Sequence, residues 1–179
     1  MTELALRIGL TPEHSCSYLP GESERLMVLL EDKFRNPAGY ENLLVAGFRR
    51  SGNDLYRPHC QHCEACRSLR IPVAQFTPSR SQKRIRQLNR DVHMVLSTQD
   101  KPEYYDLFAR YINERHFDGS MFPATRNQYD NFLLCDWLQP YYLEFRLDQH
   151  LIALAITDPL PHSLSAMYTF FAPEHADRS

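Results

Sequence analysis

The stretch Tyr56-Arg-Pro-His-Cys-Gln-His-Cys-Glu-Ala-Cys-Arg-Ser-Leu-Arg70 holds three of the five cysteines of the chain at one repeated spacing. Cysteines separated by two residues can direct both sulfurs toward one soft cation, as they do in zinc and iron-sulfur sites. Three thiolates leave a tetrahedral zinc site one ligand short. The candidate metal ligands are Cys60, Cys63 and Cys66, with Cys16 as the first choice for the fourth ligand and His59 or His62 as alternatives.

The same cysteines have a second interpretation without a metal. A free cysteine behaves as a small hydrophobic residue, so four reduced thiols can pack together in a small core. Cys135 stands beside Leu133 and Leu134 in a helical pattern, and we expect it to be only a core residue of this kind. Zinc, an iron-sulfur cluster and metal-free packing therefore all remain open.

The composition is that of a globular protein without a membrane segment. Of the 179 residues, 43% are hydrophobic and only six are glycine. Apolar runs reach about six residues, whereas a membrane-spanning helix needs roughly 18 to 20. The first residues lack the basic start and long apolar core of a secretory signal. These features predict a cytoplasmic protein, where clustered cysteines indicate metal or redox chemistry rather than a disulfide framework.

Charge is distributed unevenly along the chain. The formal net charge is -2, yet residues 67–90 contain seven basic residues and no acidic one. A cationic block in an otherwise acidic protein favours a polyanionic partner, and nucleic acid is the most common one in the cytoplasm. An exposed, solvated helix face is the alternative. The candidate phosphate-binding residues are Arg80, Lys83, Arg84, Arg86 and Arg90.

Local patterns in the first half predict short elements around the cysteines. Asn36 followed by Pro37 is a helix start, and Gly47 is a stop signal. Ser51-Gly-Asn-Asp54 between two β-rich runs predicts a hairpin. We expect a further strand over residues 69–76, limited by Pro72 and Pro78.

The second half reads as helices followed by strands. Ser79 begins a basic helix, and Asp100 with Glu103 predicts a capping box for the next one. Thr125 and Gln128 form another such pair, with Trp137 on the inner face of the helix they open. Three β-rich runs after residue 140 predict an antiparallel meander. The predicted class is α+β, divided into a cysteine-bearing region (1–76), a basic connecting segment (77–98) and a further domain (99–179).

Several motifs resemble those of a known family over nearly the whole chain. They include Cys16-Ser-Tyr-Leu-Pro, Gly47-Phe-Arg-Arg-Ser-Gly, Leu55-Tyr-Arg-Pro-His-Cys, Pro78-Ser-Arg-Ser-Gln-Lys-Arg and Ser165-Ala-Met-Tyr-Thr-Phe-Phe-Ala-Pro. The chain resembles the aminoacyl-tRNA-protein transferases, in particular their bacterial aspartate/glutamate leucyltransferase branch.

The resemblance implies an enzyme that moves leucine from charged tRNA to proteins with an N-terminal Asp or Glu, marking them for degradation in the N-degron pathway. It also implies that the third region is similar to the GNAT-like fold, with antiparallel strands, and that the transfer needs no cofactor. The implied partners are leucyl-tRNA and acidic N-termini, with no membrane. Oligomeric state stays open.

The chain departs from the family pattern in two ways. Eukaryotic members have a second cysteine where this chain has Leu19, and an adjacent cysteine pair where it has Cys60 and Cys63 apart. The chain also ends at Ala176-Asp-Arg-Ser, where family members continue into a helix and further strands. We therefore expect an incomplete GNAT-like domain, and weak or no transfer by these 179 residues.

Aminoacyl transfer to an amine requires positioning, one general base and donors for the developing oxyanion. Candidate catalytic residues near the C-terminal strands are Asp158, Ser165 and Tyr168; a turn residue and two strand residues are the structural alternative. An acidic acceptor side chain needs a guanidinium partner. The candidates are Arg49, Arg57, Arg70 and Arg146, and His116 in the loop after the helix is a further candidate for lining the site. For each of these five residues an ordinary surface position is the alternative.

Two other functions compete with this interpretation. The first is a metal-stabilised nucleic-acid-binding module without catalysis, which would bind tRNA whether or not it is charged. The second is an acetyl-CoA-dependent acetyltransferase, which needs a glycine-rich pyrophosphate loop that the sequence lacks.

Overall fold

The computed structural model describes residues 6–178, which form two compact units. Unit 1 comprises the chain up to Ser68 together with Asp130–Gln139 and Pro159–Ser165. Unit 2 comprises Leu69–Tyr129, Pro140–Asp158 and the chain from Ala166 onward.

Both units mix helices with β-sheet. Antiparallel strand pairs occur in each, so the predicted α+β class is confirmed. Within the described range, no helix combines the length and apolar character needed to cross a bilayer.

Six short strands form the sheets of unit 1. They are β1 (Ile8–Leu10), β2 (His14–Ser15), β3 (Ser23–Glu24), β4 (Leu26–Leu29), β5 (Arg49–Ser51) and β6 (Asp54–Pro58). Four of them make an antiparallel sheet in the order β1-β4-β6-β5. The predicted hairpin is β5-β6 and is confirmed. The separate β2-β3 pair closes the loop that carries Cys16.

Helix α1 (Pro37–Val45) starts where the sequence predicts. The side chain of Asn36 accepts a hydrogen bond from the Gly39 amide at 2.9 Å, and the proline occupies the first turn, where an N–H would have no partner. Tyr40 and Leu43 project from this helix and are 2% and 4% exposed. The core around them contains Leu29, Phe48, Leu55 and Leu138.

Residues 130–139 belong to unit 1, which differs from the expected boundaries at residues 76 and 98. Arg50 is 3% exposed and donates a hydrogen bond to the carbonyl of Leu133 at 3.1 Å. Trp137 donates to the carbonyl of Asn53 at 3.0 Å and contacts the Tyr40 ring edge to face at 5.7 Å. Sequence patterns report only on residues that are close together in the chain. They miss these contacts, which join residues more than 80 positions apart.

Unit 2 contains three helices and a four-stranded sheet. The helices are α2 (Arg80–Leu88), α3 (Pro102–Arg115) and α4 (Arg126–Leu133), the last of which continues into unit 1. The strands are β7 (His93–Ser97), β8 (Tyr141–Leu147), β9 (His150–Pro159) and β10 (Leu164–Phe171), in the order β10-β9-β8-β7. The predicted basic helix and the three C-terminal β-runs are confirmed.

Three local predictions for the second half of the chain and the segment before it are wrong. Residues 69–76 form no strand but an exposed segment with a short 3-10 turn at Val73–Gln75, because no neighbouring strand pairs with them. The N-cap of α3 is Lys101, without a side-chain cap; Asp100 instead accepts a hydrogen bond from the Tyr129 hydroxyl at 2.6 Å. Helix α4 ends before Trp137, which lies outside it.

The core of unit 2 is rich in aromatic rings. Phe108 on α3 lies edge to face against Tyr129 at 5.3 Å and against Phe170 of β10 at 5.6 Å. All three side chains are fully buried. Burying a side chain of this size stabilises a fold by about 1.5 to 3 kcal/mol, so this trio fixes α3 against the sheet.

Candidate functional site

A cavity of about 690 Å³ in unit 1 brings the clustered cysteines together. It lies between the loop that carries Cys16, the hairpin β5-β6 and the chain after it. Its wall contains the four predicted thiols, three arginines, two tyrosines and two acids: Cys16, Cys60, Cys63, Cys66, Arg49, Arg57, Arg67, Tyr18, Tyr56, Glu24 and Glu64.

Main-chain hydrogen bonds hold the two cysteine segments in place. The Cys16 amide donates to the carbonyl of Glu22 at 2.9 Å, which closes the first loop. The amide of His59 donates to the carbonyl of Arg25 at 2.7 Å, and the Cys60 thiol lies 4.0 Å from the same oxygen. The predicted juxtaposition of the cysteines thus depends on residues next to β4, which the spacing of the cysteines does not reveal.

The four thiols line one cavity but are not gathered around a single point. Across residues 6–178, no three His, Cys, Asp or Glu side chains converge so as to hold one. Cys16 accepts a hydrogen bond from the Tyr18 amide, while Cys66 is exposed. His59 lines the cavity and His62 does not. Cys135 packs against the core of unit 1, as predicted.

Two of the four candidate acceptor-binding arginines line this cavity. Arg49 stands on β5 directly opposite Tyr56 of β6. Burial raises the pKa of Tyr56, and the Arg49 charge partly offsets that effect. Arg57 donates to the carbonyl of Ala46 at 3.0 Å and lies over the Phe48 ring, while its Nε is buried without a hydrogen-bond partner in the described chain.

The other two candidate arginines lie in unit 2. Arg70 is exposed and does not line the cavity. Arg146 on β8 donates to Glu144 at 2.7 Å, to Glu103, and to the carbonyl of Gln149 at 2.9 Å. Its side chain is 17% exposed, so its guanidinium is already occupied by acids of its own unit.

Glu144 is the centre of a buried polar network that the sequence analysis missed. It is 1% exposed and accepts hydrogen bonds from Lys101 at 2.5 Å, from the Tyr104 hydroxyl, and from Arg146. Burial by itself would raise the pKa of Glu144, but these donors outweigh it and hold the pKa at about 2. Burial and the adjacent carboxylate raise the pKa of Tyr104. The available signal was an acid at a core-facing position of a strand in which Arg146 is the other charged residue.

Helix α2 presents a row of unpaired positive charges in unit 2. Ser79 and Gln82 form a reciprocal capping box at its start. Its other end is fixed because Asn89 donates to the carbonyl of Arg178 at 2.7 Å and Arg178 forms an ion pair with Asp91 at 2.8 Å. Arg80, Lys83, Arg84, Arg86 and Arg90 are all exposed, and none forms a salt bridge within residues 6–178.

The three candidate catalytic residues have different environments. Asp158 near the end of β9 is fully buried. Ser165 on β10 lies with its hydroxyl 3.3 Å from that of Tyr40, within unit 1. Tyr168 on the same strand is half-buried, with its ring 6.1 Å from that of Phe170 in unit 2.

Two family models match most of the chain. The model described as arginine-tRNA-protein transferase, N terminus, matches residues 14–84, and the corresponding C-terminus model matches residues 103–179.

Curated relatives match over almost the full chain. A protein of Aeromonas hydrophila named aspartate/glutamate leucyltransferase is 65% identical over 99% of this chain and 74% of its own length. Proteins of the same name from Pseudoalteromonas atlantica and Pseudomonas fluorescens are 52% and 50% identical, over 97% and 100% of this chain and 75% and 77% of their own lengths.

Proposed function

The chain belongs to the arginine-tRNA-protein transferase family, and from this premise we propose that it transfers leucine from leucyl-tRNA to proteins that begin with Asp or Glu. The modified protein is thereby marked for degradation. The observation that carries the proposal is the 65% identity, over 99% of this chain, to a relative named for this reaction. The family also supports a cytoplasmic location, where aminoacyl-tRNA is made.

Helix α2 is the proposed contact for the tRNA backbone. Its exposed Arg80, Lys83, Arg84, Arg86 and Arg90 have no competing salt bridges among the described residues. Each phosphate contact releases condensed counterions, so binding is expected to weaken with salt. Contacts of this kind position the nucleic acid without reading its sequence.

The cavity in unit 1 is the proposed recognition site for the acidic side chain of the acceptor. Arg49 and Arg57 place two guanidinium groups on its wall, and a guanidinium can bind a carboxylate in a bidentate manner. Arg49 is the better candidate because one nitrogen of Arg57 is already bound to Ala46. Arg70 lies outside the cavity and Arg146 is occupied by carboxylates.

The transfer itself is the attack of an α-amine on an activated ester. The C–N bond of the new amide forms, the ester C–O bond breaks, the amine proton passes to a base and the 3′ hydroxyl of the tRNA leaves. An α-amine has a pKa near 7.7 to 8.0, so a single general base suffices and no cofactor is needed. Asp158, Ser165 and Tyr168 remain our candidates for assisting these steps, and unit 2 remains a proposed GNAT-like fold.

A metal at Cys16, Cys60, Cys63 and Cys66 remains a proposal, supported by the single cavity that all four line. Zinc and an iron-sulfur cluster are the alternatives, and the sulfurs must move to bind either. Metal analysis of protein purified without oxygen tests the proposal. Cys63→Ser should remove the metal, whereas the matched control Cys135→Ser should keep it; metal-free wild-type protein would end the idea.

A competition assay tests the proposed function. Radiolabelled leucyl-tRNA is incubated with peptides that differ only in their first residue: Asp, Glu, Asn or Ala. We expect label to enter the Asp and Glu peptides in large excess over the other two. The ratio of label between the acidic and the other peptides tests the preference even when the absolute rate of transfer is low. Equal labelling of all four would contradict the preference for acidic N-termini, whereas tRNA binding without any transfer would favour the non-catalytic nucleic-acid-binding module.

A further inference from the structure

A group of aromatic side chains lies at the C-terminal end of α3 in unit 2, and of these only His116 was considered for a role above. The ring of Tyr111 lies 4.9 Å from that of His116 and 5.2 Å from that of Phe171 on β10. The guanidinium of Arg115 lies 5.1 Å from the centre of the Phe171 ring. We propose that these four residues and the adjoining Phe117, here called the Tyr111 cluster, bind the unpaired bases at the 3′ end of the donor tRNA. The inference rests on the proposed function.

The exposure of these side chains suits stacking against a base. Phe117 is 66% exposed, and His116 and Arg115 are also exposed. Tyr111 and Phe171 are half-buried, so the core holds their rings while part of each stays accessible. Stacking of a base on an aromatic side chain is tolerant of sequence, because every base has a π face. An arginine beside such rings adds attraction to both base and phosphate.

The local charges leave Arg115 available for a phosphate. Arg110, earlier on the same helix, pairs with Glu174 at 2.7 Å and with Glu114 at 3.7 Å. Arg115 forms no salt bridge with any residue in the described range 6–178. The nearest acid in the following loop is Asp118, which is exposed and would repel a phosphate. Removal of the Asp118 charge should therefore strengthen binding of the tRNA 3′ end.

The loop after α3 is held by hydrogen bonds within unit 2. The Gly119 amide donates to the carbonyl of His116 at 2.9 Å, and the Phe122 amide donates to the carbonyl of Gly119 at 3.1 Å. The Ala124 amide donates a hydrogen bond to the side-chain oxygen of Asn113 on α3 at 2.9 Å. A preformed loop loses little conformational entropy on binding, which favours recognition of a flexible strand.

The cluster is joined to the basic helix by a short chain of contacts within unit 2. The 3-10 segment Pro173–Arg178 begins two residues after Phe171. One end of the segment is fixed to α3 by Glu174 and Arg110, and the other is fixed to the end of α2 by Arg178 and Asp91. A segment of this length covers on the order of 10 Å. In tRNA the unpaired 3′ end directly follows the base-paired acceptor stem, so a stem held by α2 places that end within reach of the cluster.

Fluorescence anisotropy with two RNAs tests the inference. One is the intact tRNA, and the other is the same tRNA trimmed to the end of its paired stem. Wild-type protein should bind the intact tRNA about tenfold more tightly, since stacking adds substantially for each base. Phe117→Ala and Arg115→Ala should each reduce this preference at least threefold, by the loss of one stacking or charge contact, and leave the affinity for the trimmed tRNA unchanged. Asp118→Asn should increase the preference.

Control variants show whether the preference for the intact tRNA arises from stacking on an aromatic ring. Phe117→Tyr should keep the preference and Phe117→Leu should lose it, because only the first retains a ring. Met94→Ala, at a residue of β7 that is 64% exposed, should behave as wild type. Equal affinity of wild-type protein for the two RNAs, or an unchanged preference in Phe117→Ala, would overturn the inference. Because binding is measured without transfer, failure of the proposed reaction would be seen separately, in the peptide assay.

Discussion

The Lys101 ammonium lies 2.5 Å from a carboxylate oxygen of Glu144, which is buried in the sheet of unit 2. A buried charge is tolerated only when it is paired and hydrogen-bonded, and Glu144 is both. The pair connects the start of α3 to the middle of β8, and Arg146 extends it to Glu103. The contribution of this pair to the stability of the protein can be measured by unfolding the protein at several pH values.

The stability of the protein should depend on the ionisation of Glu144. Its pKa is about 2 in the folded state against an ordinary 4.5. The unfolded state therefore binds the proton more readily, and the stabilisation is present above pH 4.5 and lost as pH falls toward 2. This contribution is roughly 2 to 3 kcal/mol. Urea unfolding of wild type and Glu144→Gln should give a difference in free energy that shrinks as pH falls from 6 to about 3.

The exposed carboxylate Glu114 supplies a control for this experiment. Glu114→Gln removes a surface ion pair and should change stability by less than about 1 kcal/mol at any pH. A Glu144→Gln difference that stays constant with pH would contradict the assigned ionisation.

Gly52 in the β5-β6 turn should tolerate no side chain. Its φ is +54°, and an added Cβ would lie 2.1 Å from the carbonyl oxygen of Asn131. Gly52→Ala therefore combines an unfavourable backbone conformation with overpacking, and we expect a loss of about 3 kcal/mol or more. Gly21→Ala is the matched control, because Gly21 has φ +80° and no atom within 4 Å of the added Cβ. It should cost about 1 kcal/mol; equal losses in the two variants would refute the steric explanation.

The sequence predicts those elements whose determinants are local. The Asn36 cap, the helix start at Ser79 and the β5-β6 turn all lie within four residues of the structure they specify. Asp100 shows the limit of this reasoning, because it has the spacing of a cap but binds Tyr129 from a different helix. The Glu144 network likewise joins residues about 40 positions apart, so no local pattern contains it.

The candidate site was predictable in its residue types and not in its geometry. The spacing of Cys60, Cys63 and Cys66 predicted that these residues lie close together, and all three line one cavity; a metal bound by them stays a prediction. The choice between Arg49 and Arg146 depended on which guanidinium was already bound to acids, and only the fold determines that.

Loss of charge from α2 should weaken tRNA binding and reduce its dependence on salt. In Arg84→Gln/Arg86→Gln, each lost phosphate contact should lower the slope of log affinity against log salt concentration by about 1. Anisotropy titrations at several salt concentrations measure both effects. Lys33→Gln/Arg35→Gln in unit 1 changes the net charge equally and should leave the slope unchanged. Equal slopes for the α2 variant and wild type would exclude α2 from the interface.

Arg49 should determine the preference for acidic acceptors. It lines the unit 1 cavity beside Tyr56, and it makes no ion pair with a carboxylate of the described chain that would compete with a ligand. Loss of a charge-assisted contact made equally in the bound and transition states raises KM and leaves kcat unchanged. For Arg49→Gln we therefore expect KM for an Asp peptide to rise about tenfold, since a hydrogen bond to a charged group contributes about 1.5 to 3 kcal/mol.

Two comparisons separate recognition from general damage to the cavity. With a peptide that begins with Asn, which carries no charge, Arg49→Gln should match wild type. Arg70→Gln, at an exposed residue outside the cavity, should leave KM for the Asp peptide unchanged. If Arg49→Gln lowers kcat for both peptides equally, Arg49 supports the fold of the cavity rather than the acceptor. If KM for the Asp peptide is unaltered, Arg49 does not bind the acidic side chain, and Arg57 is then the remaining candidate on the wall of the cavity.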